Sequence, residues 1–103
     1  MKLRVLSAAE KEVTKAAVWY DKRQAGLGTD FFLEYERAVS QIEMHPLRYA
    51  KLETVKTARD IRQFFLHRFP YYVVYELVSD EIVVLAVSHS ARRPNYWLRR
   101  SGG

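Results

Sequence analysis

The sequence predicts a single α+β domain over residues 1–103, with helices gathered on one face of an antiparallel sheet. Three observations carry that expectation. A short alternating stretch opens the chain, two stretches with apolar residues at helical spacing fill its first half, and three runs rich in β-branched and aromatic residues fill its second. At 103 residues there is room for one hydrophobic core, and 49% hydrophobic residues supply enough apolar surface to offset the entropy of ordering the chain.

"KLRVLS" sets Leu3 and Val5 against Lys2 and Arg4, the period of a half-buried strand. Ser7 then stands three residues before Glu10, the spacing of a capping box, and Val13, Ala16, Ala17 and Tyr20 share one helical face, which predicts a helix from Ala8 to Gln24. Gly26 and Gly28 tolerate the positive φ needed where that helix stops, and Thr29 or Asp30 is placed to cap a second helix. The apolar face of the second helix is Phe31, Phe32, Tyr35, Ala38, Val39 and Ile42, and Pro46 forbids its continuation. From Pro46 to Asp60 neither period is visible, so this segment reads as a loop with room for one helical turn.

"IRQFFLHRF", "YYVVYELV" and "EIVVLAVSH" predict three consecutive antiparallel strands. Phe69-Pro70 marks the first connection and Ser79-Asp80 a tight hairpin at the second. The last strand is apolar at almost every position from Ile82 to Val87, which predicts burial on both faces and a central place in the sheet.

The formal charge is +5, and it is lopsided: residues 1–50 carry eight Lys and Arg against seven acids, residues 51–103 nine against five, with no acid from Ile82 onward. Such a balance favours an acidic partner, whether nucleic acid, an acidic protein or a membrane surface. The chain has no cysteine, which excludes disulfides and thiolate metal sites and fits a reducing compartment. "MKLRVLSAAE" lacks the apolar run of a secretory signal, and no stretch of 18 apolar residues occurs, so the expected location is the cytoplasm with no membrane role. There is no Gly-rich phosphate loop, no GxSxG elbow and no HExxH pair, and His45, His67 and His89 are too dispersed for a metal site, so no cofactor or metal is expected.

A basic and aromatic constellation on the C-terminal half remains: Lys56, Arg59, Arg62 and Arg68, then His89, Arg92, Arg93, Tyr96, Trp97, Arg99 and Arg100. Antiparallel pairing is expected to bring the start of the first hairpin, near Arg62, and the end of the third strand, near His89, to one edge and so to one basic surface. Arginine forks suit phosphates and carboxylates, and His89 exchanges protons near neutral pH. Plain structural roles compete with this. His89 alternates with Val87 and Leu85 as a strand terminus would, and Tyr96 and Trp97 serve equally well as a lid over the core.

The "FPY-x-V-x-Y" strand from Phe69 and the "V-x-H-x-x-R-x-P-x-Y-W" run from Val87 to Trp97, preceded by a helical hairpin, resemble the RelE/ParE toxins of bacterial type II toxin-antitoxin systems, also called plasmid stabilisation proteins. The resemblance spans nearly the whole chain. It implies a growth-inhibiting toxin neutralised by a cognate antitoxin in a hetero-oligomeric complex. It leaves two mechanisms open: RelE-like cleavage of mRNA on the ribosome, or ParE-like action on DNA gyrase without a ribonuclease centre. On the ribonuclease route His89 would act as acid or base, Arg92 or Arg93 with Arg62 or Lys56 would hold the phosphate, and Tyr96 would stack or assist. The remaining cations, Arg59, Arg68, Arg99 and Arg100, and Trp97 would then bind target or antitoxin. RelE-like nucleases commonly carry an arginine after the tyrosine that opens the second hairpin strand, and this chain has Tyr72 there, which tilts the reading towards the ParE-like branch. A small basic binding domain without toxicity is the further alternative.

Overall fold

A computed structural model describes residues 1–52 and 58–101. The elements follow the order strand β1 (Lys2–Val5), helix α1 (Ser7–Arg23), helix α2 (Leu27–Met44), strands β2 (Asp60–Phe65), β3 (Tyr71–Val78) and β4 (Glu81–His89), and a 3-10 turn over Tyr96–Arg99. The four strands form one sheet in the order β1-β4-β3-β2. The two hairpins are antiparallel, while β1 runs parallel to β4 with Leu3 opposite Ile82. The α+β architecture and the central, doubly buried β4 are as the sequence predicts; Ile82 to Ser88 are all buried.

The helix starts are made differently from the expectation. Leu6 rather than Ser7 is the N-cap of α1, with no side-chain cap, because Ser7 already lies in the first turn; the Leu6 carbonyl accepts from the amides of Ala9 and Glu10. Neither Thr29 nor Asp30 caps α2. Its N-cap is Gly26 at φ 89°, and the amides of Gly26 and Gly28 both donate to Asp21 Oδ1 at 3.0 Å, so a carboxylate in the last turn of α1 secures the start of α2. Only Gly26 uses a positive φ. Gly28 is required for a different reason: a Cβ there would fall onto the Ala17 carbonyl oxygen, so the two helices cross where the side chain is absent.

The sheet has a core on each face. Against the helices lie Ala9, Val13, Ala16, Phe31, Tyr35, Ala38 and Ile42, packed on Val73, Tyr75, Ile82, Val84 and Val87. Phe32, expected on that apolar face, is 43% exposed, and its i+2 neighbour Glu34 is buried instead. On the opposite face Ile61, Tyr72, Val74, Val83, Leu85 and Ala86 pack beneath Trp97. The C-terminal segment is therefore a third layer, and Trp97, 1% exposed, is its plug. A β-bulge where Tyr75 pairs with Val84 and Val74 with Ala86 leaves Leu85 unopposed. It breaks the expected alternation: Leu85 and Ala86 both face the tail, while Val87 turns to the helix side and His89, opposite Tyr71, follows it.

Candidate functional site

Strand β1 ends at Val5, opposite Val84, so β4 has an open edge beyond that point. Backbone polar groups on such an edge need partners, and here side chains supply them. Glu12, on α1, accepts the Val87 amide at 3.0 Å. Arg100 donates to the Leu85 carbonyl at 2.9 Å and to Glu12 Oε1 at 2.9 Å. The same carboxylate takes the Tyr96 hydroxyl at 2.6 Å and Arg92 at 3.2 Å. Helix layer, strand edge and tail layer thus meet on one carboxylate.

The chemistry of the cluster follows from these bonds. Burial, reinforced by the bond to Glu12, pushes the Tyr96 hydroxyl up to about 12, so it is a donor at neutral pH and not a base. Arg92 lies with its guanidinium carbon 3.6 Å from the Tyr96 ring centroid, covering that ring with a cation. His89 packs edge-on to Tyr71, ring centroids 5.0 Å apart, and its Nδ1 accepts the Ala91 amide at 2.9 Å. A backbone N–H is an obligate donor, so the proton of the neutral imidazole sits on Nε2 and that nitrogen donates rather than accepts. A base at His89 would have to abandon the Ala91 bond.

The remaining cations fall elsewhere. Arg59 makes a two-pronged bond to Glu76 (2.8 and 2.9 Å) and also donates to the carbonyls of Leu98 and Arg100, tying the tail to the sheet. That bond holds its pKa above the ordinary arginine value. Arg62 pairs with Asp60 at 2.9 Å and donates to the carbonyls of Leu47 and Tyr49, stitching the turn after α2 to β2. Arg68 stands 3.5 Å from Asp30, with both side chains about half exposed. Arg93 and Arg99 are exposed, with no hydrogen bond or ion pair to any described residue. Lys56 lies outside the described residues.

The single basic edge expected from the sequence is not formed. β2 and β4 are each antiparallel to β3, hence parallel to one another, so the start of β2 and the end of β4 sit at opposite ends of the sheet. Arg62 is level with Tyr75 and His89 with Tyr71, four residues apart on β3, roughly 13 Å along the strand. Trp97 is buried where a binding surface was one expectation, and its indole N–H has no acceptor among the described residues.

Three carboxylates, Glu12, Glu34 and Glu76, were absent from the residues singled out by sequence. Glu34 is 7% exposed and accepts the amides of His67 and Arg68 at 2.7 and 3.0 Å, securing the turn between β2 and β3. Each stands at a position its element otherwise fills with apolar residues: Glu12 between Ala9 and Ala16, Glu34 between Phe31 and Ala38, Glu76 between Val74 and Val78. An acid in an apolar stripe is the signal that would have found them.

A concavity of about 560 Å³ lies away from this cluster, between α2 and β2, where Leu33, Glu34, Arg37, Ala38, Phe64 and His67 form part of its wall. β2 is a sheet edge. Residues 50–52 cover its first half through Leu52 to Ile61 and Gln63 to Ala50 backbone bonds, and Phe65, 57% exposed, stands at the uncovered end.

No curated protein matches the chain by sequence. Among solved structures, a chain described as "Chromosomal ParDE TA system from P. aeruginosa" superposes with a TM-score of 0.63 over 86% of this chain and 95% of that one, at 14% identity, which establishes a shared fold. The family model of the ParE toxin of the type II toxin-antitoxin system, parDE, matches residues 3–94. With that match spanning most of the sheet and both helices, this chain belongs to the ParE toxin family of type II toxin-antitoxin systems.

Proposed function

We propose that this toxin inhibits growth by acting on DNA gyrase in the cytoplasm, without cutting RNA, until an antitoxin encoded with it is bound. Position 72 carries the reading. Where a nuclease of the wider superfamily would present a phosphate-binding arginine, Tyr72 is 7% exposed and packs edge-on beneath Trp97, centroids 5.6 Å apart, as part of the core. The neighbouring groups point the same way: Tyr96 is a bound donor, Arg92 and Arg100 both engage Glu12, and the Nδ1 of His89 is occupied. A proton relay across a ribose phosphate needs a free base beside its cations, and here the Tyr96 hydroxyl and the Nδ1 of His89 are both engaged.

The antitoxin surface is proposed at the α2–β2 concavity. An exposed strand end at Phe65 beside an apolar wall suits an added strand or a helix laid along the groove, and replacement of Phe65 with glutamate is expected to weaken the complex in a co-purification assay. The deciding experiment expresses the toxin without antitoxin. Loss of supercoiling by purified gyrase and a DNA-damage response support the proposal. Codon-positioned mRNA cuts with gyrase untouched would replace it with the endonuclease reading, and unimpaired growth would leave only a basic binding domain.

A further inference from the structure

We propose that the tail carries a docking groove for an acidic segment of a partner protein, flanked by Arg93 and Arg99. The groove, about 480 Å³, is lined by Arg93, Pro94, Asn95, Tyr96, Leu98 and Arg99. Four of these, Asn95, Tyr96, Leu98 and Arg99, lie past residue 94, where the family match ends.

The argument rests on how the tail arginines are divided. Arg92 and Arg100 reach inward to Glu12, and Arg100 adds a backbone carbonyl, so both guanidiniums are engaged within the molecule. Arg93 and Arg99 alternate with them in the sequence, stand exposed, and meet no acid among the described residues. The turn that separates the two is fixed by Asn95, which holds φ at 70°, a left-handed conformation that asparagine tolerates better than most residues. Two forks without a partner among the described residues thereby line one groove together with Pro94, Tyr96 and Leu98.

That combination selects its occupant. A nucleic-acid strand needs a row of cations along its phosphates and a free aromatic face for its bases. Here two guanidiniums on the groove have no partner among the described residues, and Arg92 already lies over the Tyr96 ring. A peptide with carboxylates for the two guanidiniums and an apolar side chain for Pro94, Tyr96 and Leu98 matches both the charge and the lining.

The test uses the full chain and an acetylated hexapeptide of Asp and Glu residues interrupted by leucine and phenylalanine, with oligothymidylate as the competing probe. Amide NMR shifts on peptide addition are expected at Asn95, Tyr96, Leu98 and Arg99. The double variant Arg93→Ala with Arg99→Ala is expected to weaken peptide binding at least about tenfold while its thermal midpoint stays near that of the parent, since neither side chain has a partner among the described residues. Arg48→Ala, which removes an exposed arginine elsewhere, is expected to bind as the parent does. Shifts outside the tail, or an equal loss in Arg48→Ala, would overturn the proposal, the second by showing a response to net charge alone. Tighter binding of oligothymidylate at the same amides would make the surface a nucleic-acid site and equally overturn it.

Discussion

At the residue scale the molecule is organised by acids placed where apolar side chains are the rule. Glu12 is the most heavily used, with Val87, Arg92, Tyr96 and Arg100 all donating to it and only 14% of its side chain exposed. Glu12→Ala would strand the edge amide and the tail cations together. A loss of about 2–3 kcal/mol in urea unfolding is expected, discounted for the half-exposed Arg92. Glu12→Gln keeps an acceptor but no charge, so it should cost about 1 kcal/mol. It should also lower the pKa of Tyr96 towards its ordinary value, because the bond and charge of Glu12 help raise it while burial persists. A Glu12→Ala protein as stable as the parent would show that packing and the Arg59 bonds hold the tail without Glu12. Arg62 tests the same logic: its bonds to Asp60, Leu47 and Tyr49 make it structural, and Arg62→Ala should cost about 1–3 kcal/mol in the same measurement. The cations were legible in the sequence as residue types, but their partners were not. Periodicity assigns a glutamate to the solvent face by default, and only the position of Glu12, Glu34 and Glu76 inside apolar stripes contradicts that default.

At the scale of elements, hydrophobic spacing was a reliable guide to what packs on what, and a poor guide to how elements begin and turn. Both helices, the Ser79-Asp80 hairpin and the central β4 followed from it. The bulge at Leu85 did not, because a continuous apolar run carries no mark of which residue is left unopposed, and that one residue decides which face His89 joins. The start of α2 was hidden for a similar reason: its capping acid, Asp21, belongs to the preceding helix. The tail was ambiguous between lid and binding surface until Trp97 was placed over Tyr72. Trp97→Ala should therefore cost about 3–5 kcal/mol, as expected for an aromatic side chain removed from a core. Trp97→Phe should cost much less, since the lost volume is offset by removal of an indole N–H that has no acceptor among the described residues. Chemical denaturation of the two variants checks this, and equal losses would mean that the N–H is satisfied in solution.

At the scale of the whole molecule, tyrosines on a helix, in the sheet and in the tail share one response to pH. Burial raises Tyr35 on α2, Tyr75 on β3 and Tyr96 in the tail to about 12 each, from an ordinary value of 10.0. A raised value means that the folded chain holds the proton more tightly than the unfolded one. Below about pH 10 both states are protonated and the full stability is present; between about 10 and 12 the unfolded chain loses its protons first, and stability falls. The three groups lie in one sheet-centred domain, so their ionisation should accompany a single cooperative unfolding rather than three separate titrations. Far-UV circular dichroism and tyrosinate absorbance, followed together from pH 9 upward, should show coincident transitions. Lysine deprotonation contributes in the same range, and Tyr96→Phe isolates the tyrosine part: the Phe variant should lose less stability than the parent between pH 10 and 12, even though it starts lower for want of the Glu12 bond. If instead all tyrosines ionise near pH 10 with the fold intact, the phenols reach solvent without unfolding, and the closed third layer formed by the tail would be wrong.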